Sequence, residues 1–228
     1  MEKKRMVVLT GAGVSEESGL NTFRDSGGVW EKYSVEEVAS IQAWQQNPQL
    51  VLDFYNKRRS DAEKAQPNGA HKAIADLEDK YDVAVITQNV DDLHERAGST
   101  YVLHLHGELT KMRSESDEHL LYAYNKDIKL GDKAKDGGQL RPHIVWFGEA
   151  VPKMTDALGL IGCADIVIIV GTSLSVYPAA SLLDFVSDGT PIYVVDPNTP
   201  NTSHLKNVIP IRKKAVEGMK ELMNLLEK

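Results

Sequence analysis

Apolar residues run without interruption over Met6–Leu9, Val83–Ile86 and Ile166–Val170. Unbroken runs of this length read as strands of a parallel sheet covered on both faces. Further strands are predicted over Tyr101–Leu105, Leu140–Glu149, Pro191–Val195 and Val208–Ile211. Helical signals fall between them. Ser34 and Glu37 form a capping box, and Asn47 caps a helix with Pro48 in its first turn. Leu50, Val51, Phe54 and Tyr55 mark one face of that helix, and Arg58, three residues beyond Tyr55, shares it. Pro67-Asn68 ends it and caps the next, Gly69–Asp79. Shorter helical patterns cover Leu93–Ala97, Pro152–Ile161 and Tyr177–Val186, and an amphipathic helix over Lys213–Leu226 ends the chain. Strand–helix alternation with continuous strands predicts an α/β fold, a doubly wound parallel sheet. Ser114–Gln139 departs from the pattern: it is polar, rich in Lys and Asp, and reads as a small insertion outside the core.

The strand ends carry the chemistry. Strands ending near residues 10, 87, 171 and 196 put their polar followers on one rim, where ligands of open α/β sheets sit. The first strand feeds Gly11-Ala12-Gly13-Val14-Ser15, a glycine turn suited to a phosphate. It is not the dinucleotide fingerprint, because Glu16 stands where the third glycine belongs. The second strand runs into Gln88, Asn89, Asp91 and Asp92, and the third delivers His106-Gly107. Amide, carboxylate and imidazole together suit acid–base work on a bound small molecule. An amide-capped turn beside a satisfied histidine fits the same residues. Gly171-Thr172-Ser173 and Asn198 suit phosphate or ribose. Trp146 and Phe147, expected to be exposed at a glycine turn, suit a groove for an apolar side chain or peptide.

Composition narrows the classes. The 228 residues hold 33 acids and 26 Lys and Arg, a net charge of -7. No cationic excess is present to neutralise nucleic-acid phosphates. The single cysteine, Cys163, can form neither an internal disulfide nor a cysteine-based zinc site, and is expected to be a buried small residue. The N-terminal apolar run is too short for a signal peptide and no run is long enough for a membrane span. A cytoplasmic protein is expected.

Taken in order, these stretches resemble the sirtuins, NAD-dependent protein-lysine deacylases. The resemblance covers nearly the whole chain. It rests on GAGVSEESGLNTFRDSGGVW (Gly11–Trp30), TQNVDDLHERAG (Thr87–Gly98), HLHGEL (His104–Leu109), RPHIVWFGE (Arg141–Glu149), VGTSLSVYPAA (Val170–Ala180) and the Asn198 region. It implies one catalytic domain over 1–228. A Rossmann-like core would span about 1–30, 80–112 and 140–228, with a helical insertion over about 31–79 and a reduced module over about 113–139. By resemblance, Gly11, Ala12, Gly13, Ser15 and Gly19 hold the cofactor. Phe23 and Arg24 belong to a loop that orders over it. Gln88, Asn89 and Asp91 take the nicotinamide end. Gly171, Thr172, Ser173, Asn198 and Ala215 line the adenosine side. His106, with Asn89, is catalytic. Val145, Phe147, Gly148 and Val176 wall a groove for the acylated-lysine peptide. Asp92 and His94 are left out of the site as structural.

Two features refine the resemblance. Most sirtuins carry a zinc module with four cysteines where Ser114–Gln139 lies here. That segment has no cysteine, and His119 alone makes no tetrahedral site. No metal is expected. Tyr55 and Arg58 match the Tyr-x-x-Arg pair of the branch that accepts negatively charged acyl groups, since phenol and guanidinium can together bind a distal carboxylate. The expected activity is deacetylation with desuccinylase or demalonylase capacity by a monomer, consuming NAD and giving nicotinamide and 2′-O-acyl-ADP-ribose. An NAD glycohydrolase or ADP-ribosyltransferase, and a non-catalytic NAD or ADP-ribose sensor, are the alternatives.

Overall fold

The computed structural model describes residues 3–20, 33–124, 126–198 and 200–227. In chain order it contains β1 (Arg5–Thr10), α1 (Gly13–Glu16), α2 (Val35–Val38), α3 (Ile41–Gln46), α4 (Pro48–Lys64) and α5 (Gly69–Asp76). Then come β2 (Asp82–Thr87), α6 (Leu93–Ala97), β3 (Val102–His104), β4 (Gly107–Ser114), β5 (Leu121–Ala123) and β6 (Leu140–Ile144). The rest comprises α7 (Met154–Gly162), β7 (Ile166–Val170), a 3₁₀ turn over Ala179–Phe185, β8 (Ile192–Val195), β9 (Val208–Ile211) and α8 (Ala215–Leu226).

Six strands form a parallel sheet in the order β3-β2-β1-β7-β8-β9. The unbroken apolar runs are its centre: every residue of β7 is buried, and all of β1 after Arg5. Met6 and Val8 pack on one face with α5 and α8, Val7 and Leu9 on the other with α7 and the 3₁₀ turn. The chain winds outward from β1 through β2 to β3, then restarts at β7 and winds the other way. The switch point therefore lies between β1 and β7. The register aligns Thr10 with Thr87 and with Val170, and Val170 with Val195, so the four polar loops leave one rim together.

A second, antiparallel sheet runs β5-β4-β6. It shares a core with the helices before it: Val38, Trp44, Leu52 and Tyr55 pack with Leu109, Tyr124, Ile128 and Trp146. Residues 107–112 and 140–144, expected in the Rossmann-like core, lie instead in this second sheet, which packs with the helices over 35–64. Gly107 makes the departure possible. Its φ is +85°, and a Cβ there would sit 2.1 Å from His143 O. Such a conformation and such an approach admit only glycine.

Three local expectations change. Trp146 is buried at 1% exposure, because the Arg141 guanidinium stacks 3.4 Å over its ring and Trp44 covers the ring at 5.4 Å. Phe147 is exposed as expected. Cys163 is exposed, since it falls at the C-terminal cap of α7 rather than inside the following strand. The helix expected from Tyr177 is the 3₁₀ turn Ala179–Phe185. The predicted caps are present: Ser34 N–H donates to Glu37 at 2.8 Å, Asn47 accepts from Leu50 N at 3.2 Å, and Asn68 from Ala70 N at 2.8 Å. Among the described residues no helix is long and apolar enough to cross a membrane.

Candidate active site

The site grows from the switch point. Gly11 N donates to Val170 O at 3.1 Å and Gly13 N to Gly171 O at 2.8 Å, so the loops after β1 and β7 are laced by their backbones. A Cβ on Gly13 would lie 2.7 Å from Gly171 Cα, and one on Gly11 2.7 Å from Thr172 Cβ. These glycines are required by loop-on-loop packing, and their amides are spent on it. The phosphate-cradle reading of this turn therefore draws on fewer backbone donors than expected.

Beneath the loops lies a buried polar network. Ser15 Oγ is 3.1 Å from Asn89 Nδ2, 3.2 Å from Asp91 Oδ2 and 3.4 Å from His71 Nε2. His71 Nδ1 accepts from Asn68 N–H at 3.3 Å, which leaves the ring proton on Nε2, facing Ser15. Ser15 thus accepts from Asn89 and His71 and donates to Asp91. Burial pushes the His71 pKa down to about 4, so the ring is neutral as this network needs. Asp91 also accepts from Leu93 N at 3.2 Å, and burial raises its pKa. Below this, Thr10 Oγ1 donates to Thr87 Oγ1 at 2.9 Å and accepts from His94 Nε2 at 3.0 Å. His94 is buried scaffold, and Asp92 pairs with Arg96 at 3.5 Å.

Gln88 Nε2 reaches across to Thr172 Oγ1 at 3.0 Å, tying the loop after β2 to that after β7. Its carbonyl accepts from His106 Nδ1 at 3.0 Å. That bond places the proton on Nδ1 and leaves the His106 Nε2 lone pair as a base. Burial lowers the His106 pKa, and the Gln88 carbonyl only partly opposes it. The half-buried ring is therefore neutral at pH 7.

The outer residues are less tightly built. Ser173 Oγ meets Ser175 Oγ at 2.6 Å, and Asn198 is exposed with its N–H on Asp196 Oδ1 at 2.8 Å. Ala215 opens α8, and its side chain is buried in the core. Phe23 and Arg24 lie outside the described residues. Gly19, Arg58 and Asp91 line one cavity of about 290 Å³ with Ser18, Leu20 and Leu109. Arg58 is half-buried there, and burial lowers its pKa against the opposing pull of Tyr55, Asp91 and Asp61. Tyr55 sits deeper, its ring 6.1 Å from that of Trp146, and burial raises its phenol to about 12.

On the peptide side, Val145 N donates to His106 O at 2.9 Å. Phe147 exchanges hydrogen bonds with the junction of α2 and α3: Phe147 N to Ala39 O at 2.9 Å and Ile41 N to Phe147 O at 3.1 Å. Gly148 has φ +91° and packs on Ile41. Val176 is half-buried in the loop after β7. Glu149 closes this turn. It accepts from Arg141 Nη1 at 2.7 Å and Nη2 at 2.9 Å, from Arg113 Nη2 at 3.2 Å, and from Trp146 N at 2.8 Å. Sequence reading missed this knot; an Arg and a Glu bracketing the aromatic pair were its only trace. Among the described residues no three His, Cys, Asp or Glu side chains come together as a metal site.

A doubly wound sheet with a basic imidazole, two amides and a buried carboxyl at its switch point defines an α/β enzyme class acting on a nucleotide. Comparison with known proteins sharpens this. Residues 11–178 match the Sir2 family, and the chain belongs to that family. An NAD-dependent protein deacylase of Helicobacter pylori (strain ATCC 700392 / 26695) is 55% identical over 220 residues, covering 96% of each chain. One from Bacteroides thetaiotaomicron is 51% identical over 229 residues, covering 98% of each. Among solved structures, a Sir2 homologue variant in complex with ADP-ribose superposes with a TM-score of 0.90 at 41% identity, covering 99% of this chain and 93% of that one. A Sir2 homologue bound to NAD gives 0.89 at 41% identity, covering 99% and 90%.

Proposed function

We propose that this protein is an NAD-dependent protein-lysine deacylase. The observation that carries the reading is the His106 imidazole, neutral and with its tautomer set by Gln88 O, beside the Ser15–Asn89–Asp91 network at the switch point. The relatives named above are NAD-dependent protein deacylases, and Sir2 neighbours hold NAD or ADP-ribose. The residues fit a dinucleotide: a polar rim at the loops after β1, β7 and β8, and a buried amide and carboxyl aimed at one end.

NAD supplies an electrophilic ribose carbon from which nicotinamide departs, and the acyl group ends on the ADP-ribose. The chain's own residues supply placement and one base. Asp91, whose carboxyl accepts from Ser15 and from Leu93 N–H, can accept from the N–H of a carboxamide. Asn89 is held by Ser15 and by Thr87 Oγ1, which accepts its N–H at 3.0 Å. His106 Nε2 takes a proton from a ribose hydroxyl, making that oxygen a nucleophile. Val145, Phe147, Gly148 and Val176 bound the strip where an extended peptide would lie between the two units. Mass spectrometry of NAD with an acetyl-lysine peptide tests this: nicotinamide released without acylated ADP-ribose refutes deacylation.

Arg58, in a cavity shared with Asp91, favours acyl groups bearing a distal carboxylate, such as succinyl or malonyl, with Tyr55 supporting it from behind. The module over 113–139 stands without zinc. Ser114 Oγ donates to Asp136 at 2.7 Å, Gly138 N to Asp136 at 3.0 Å and Gln139 N to Glu115 Oε1 at 3.0 Å, while Tyr124 and Ile128 anchor the module in the helical core. Stoichiometric zinc in the purified protein contradicts that. The enzyme works as a cytoplasmic monomer, which sedimentation and fractionation check.

A further inference from the structure

Two histidines, His104 and His106, flank Leu105 where β3 gives way to β4. Leu105, in the turn between the strands, is buried in the core, and both imidazoles face the loop after β2. Their Nδ1 atoms meet successive carbonyls of the loop after β2: His104 with Asn89 O at 3.0 Å, His106 with Gln88 O at 3.0 Å. The second nitrogens differ. His106 Nε2 is available for chemistry, whereas His104 Nε2 lies 2.8 Å from Glu95 Oε1 of α6. A carbonyl and a carboxylate oxygen are acceptors only. Both ring nitrogens of His104 must therefore donate, and only the imidazolium can do that. A neutral ring would turn a lone pair on either Asn89 O or Glu95. The His104 side chain is 6% exposed, so no bulk water is at hand to relieve the conflict.

We propose that His104, held as an imidazolium by Glu95, is a positioning residue that pins Asn89 in the arrangement needed for deacylation. The inference rests on the reading that puts Asn89 at the reacting end of the site. The charged surroundings agree with it. Glu95 and Glu108 favour the cation, and the Asp91 carboxyl, the imidazole of His94 and, beyond Glu95, the Lys111 ammonium are the other titratable groups in its field. Burial disfavours the cation most, yet the balance leaves the His104 pKa raised, while that of His106 is lowered. Two imidazoles two residues apart are thus driven to opposite protonation states, as acid–base pairs in active sites are. Deacylation then needs His106 deprotonated and His104 protonated, which gives an activity window with one limb owed to each.

The test is the pH profile of kcat/KM from about pH 5.5 to about pH 10 on an acetyl-lysine peptide with NAD. Full-length wild type, Glu95→Gln, His104→Gln and His106→Ala are compared. Glu95→Gln should move the alkaline limb down by about one pH unit or more and leave the acid limb in place. His104→Gln keeps a donor for Asn89 O that does not titrate, so the alkaline limb should flatten at a reduced rate. The His104 ring, followed by NMR, should lose its proton at lower pH in Glu95→Gln than in wild type. An unmoved alkaline limb in Glu95→Gln, or a His104 ring neutral throughout, overturns the proposal. If His106→Ala keeps turning over, the reading of the site has failed; if it is dead while Glu95→Gln keeps the wild-type profile, only the positioning role of His104 has failed. Should His104→Gln not fold, Glu95→Gln decides alone, its side chain being 40% exposed.

Discussion

Removing Glu149 should unfasten the small unit and blunt peptide binding together. In Glu149→Ala the Arg141 guanidinium, 3% exposed, loses both of its carboxylate bonds and keeps Ile144 O at 2.9 Å and the Trp146 face. Arg113 and the Trp146 amide lose a partner as well. Breaking a buried pair from one side strands a charge and costs roughly 3–5 kcal/mol. For a chain of this length each kcal/mol lowers Tm by about 2–4 °C, so the expected fall is roughly 6–20 °C. Arg141→Met combined with Glu149→Gln removes the stranded charge and should recover at least half of that fall. Differential scanning calorimetry reads both. The turn closed by Glu149 carries Phe147 and Gly148, so KM for the peptide should rise more than kcat falls. A single variant melting within about 3 °C of wild type, or a double variant less stable than the single, refutes the stranded-charge argument.

His106→Ala should lose nearly all deacylation while its thermal midpoint stays close to wild type; wild-type-like turnover removes His106 from the chemistry. Arg58→Met should lower kcat/KM for a succinyl-lysine peptide about 10- to 100-fold more than for an acetyl one, the worth of a charge-assisted contact of about 1.5–3 kcal/mol; equal losses on both substrates refute the carboxylate reading. His71 is neutral in the folded protein, with its pKa lowered from 6.5 to about 4. Its contribution to stability is complete above pH 6.5 and is lost as pH falls toward about 4, a loss on the order of 3 kcal/mol. Urea titrations across that range should show a gentler acid slope in His71→Gln, and an identical slope refutes the assignment.

Local signals in the chain were legible where local physics decides. Unbroken apolar runs mark β1, β2 and β7, because strands covered on both faces tolerate little else. Ser34, Asn47 and Asn68 announce their helices, because a cap is a contact between near neighbours. The polar ends of the strands place the site at one rim. What was not legible depends on pairs far apart in sequence. Trp146 reads as an exposed aromatic until Arg141 and Trp44 are seen to cover it. Ser15 reads as a turn residue until Asn89 and Asp91 arrive from 74 and 76 positions away. The glycines after β1 read as room for a phosphate; that the loop after β7 packs directly on them shows only in the fold.

That packing changes how the site should respond to substitution. If Gly13 merely made room for a ligand, Gly13→Ala would raise KM for NAD and leave the fold intact. A Cβ there meets Gly171 Cα at 2.7 Å, and Gly171 itself has φ +60°, so neither loop can yield by rotating a side chain. The loops must part instead. Parting them pulls Thr172 away from Gln88 Nε2, whose carbonyl orients His106. The strain therefore travels from a glycine on the phosphate side to the base on the other side of the crevice. The variant's loss should accordingly appear in kcat as well as in KM, which steady-state kinetics at saturating NAD separates; a pure KM effect returns Gly13 to the role of a simple phosphate turn.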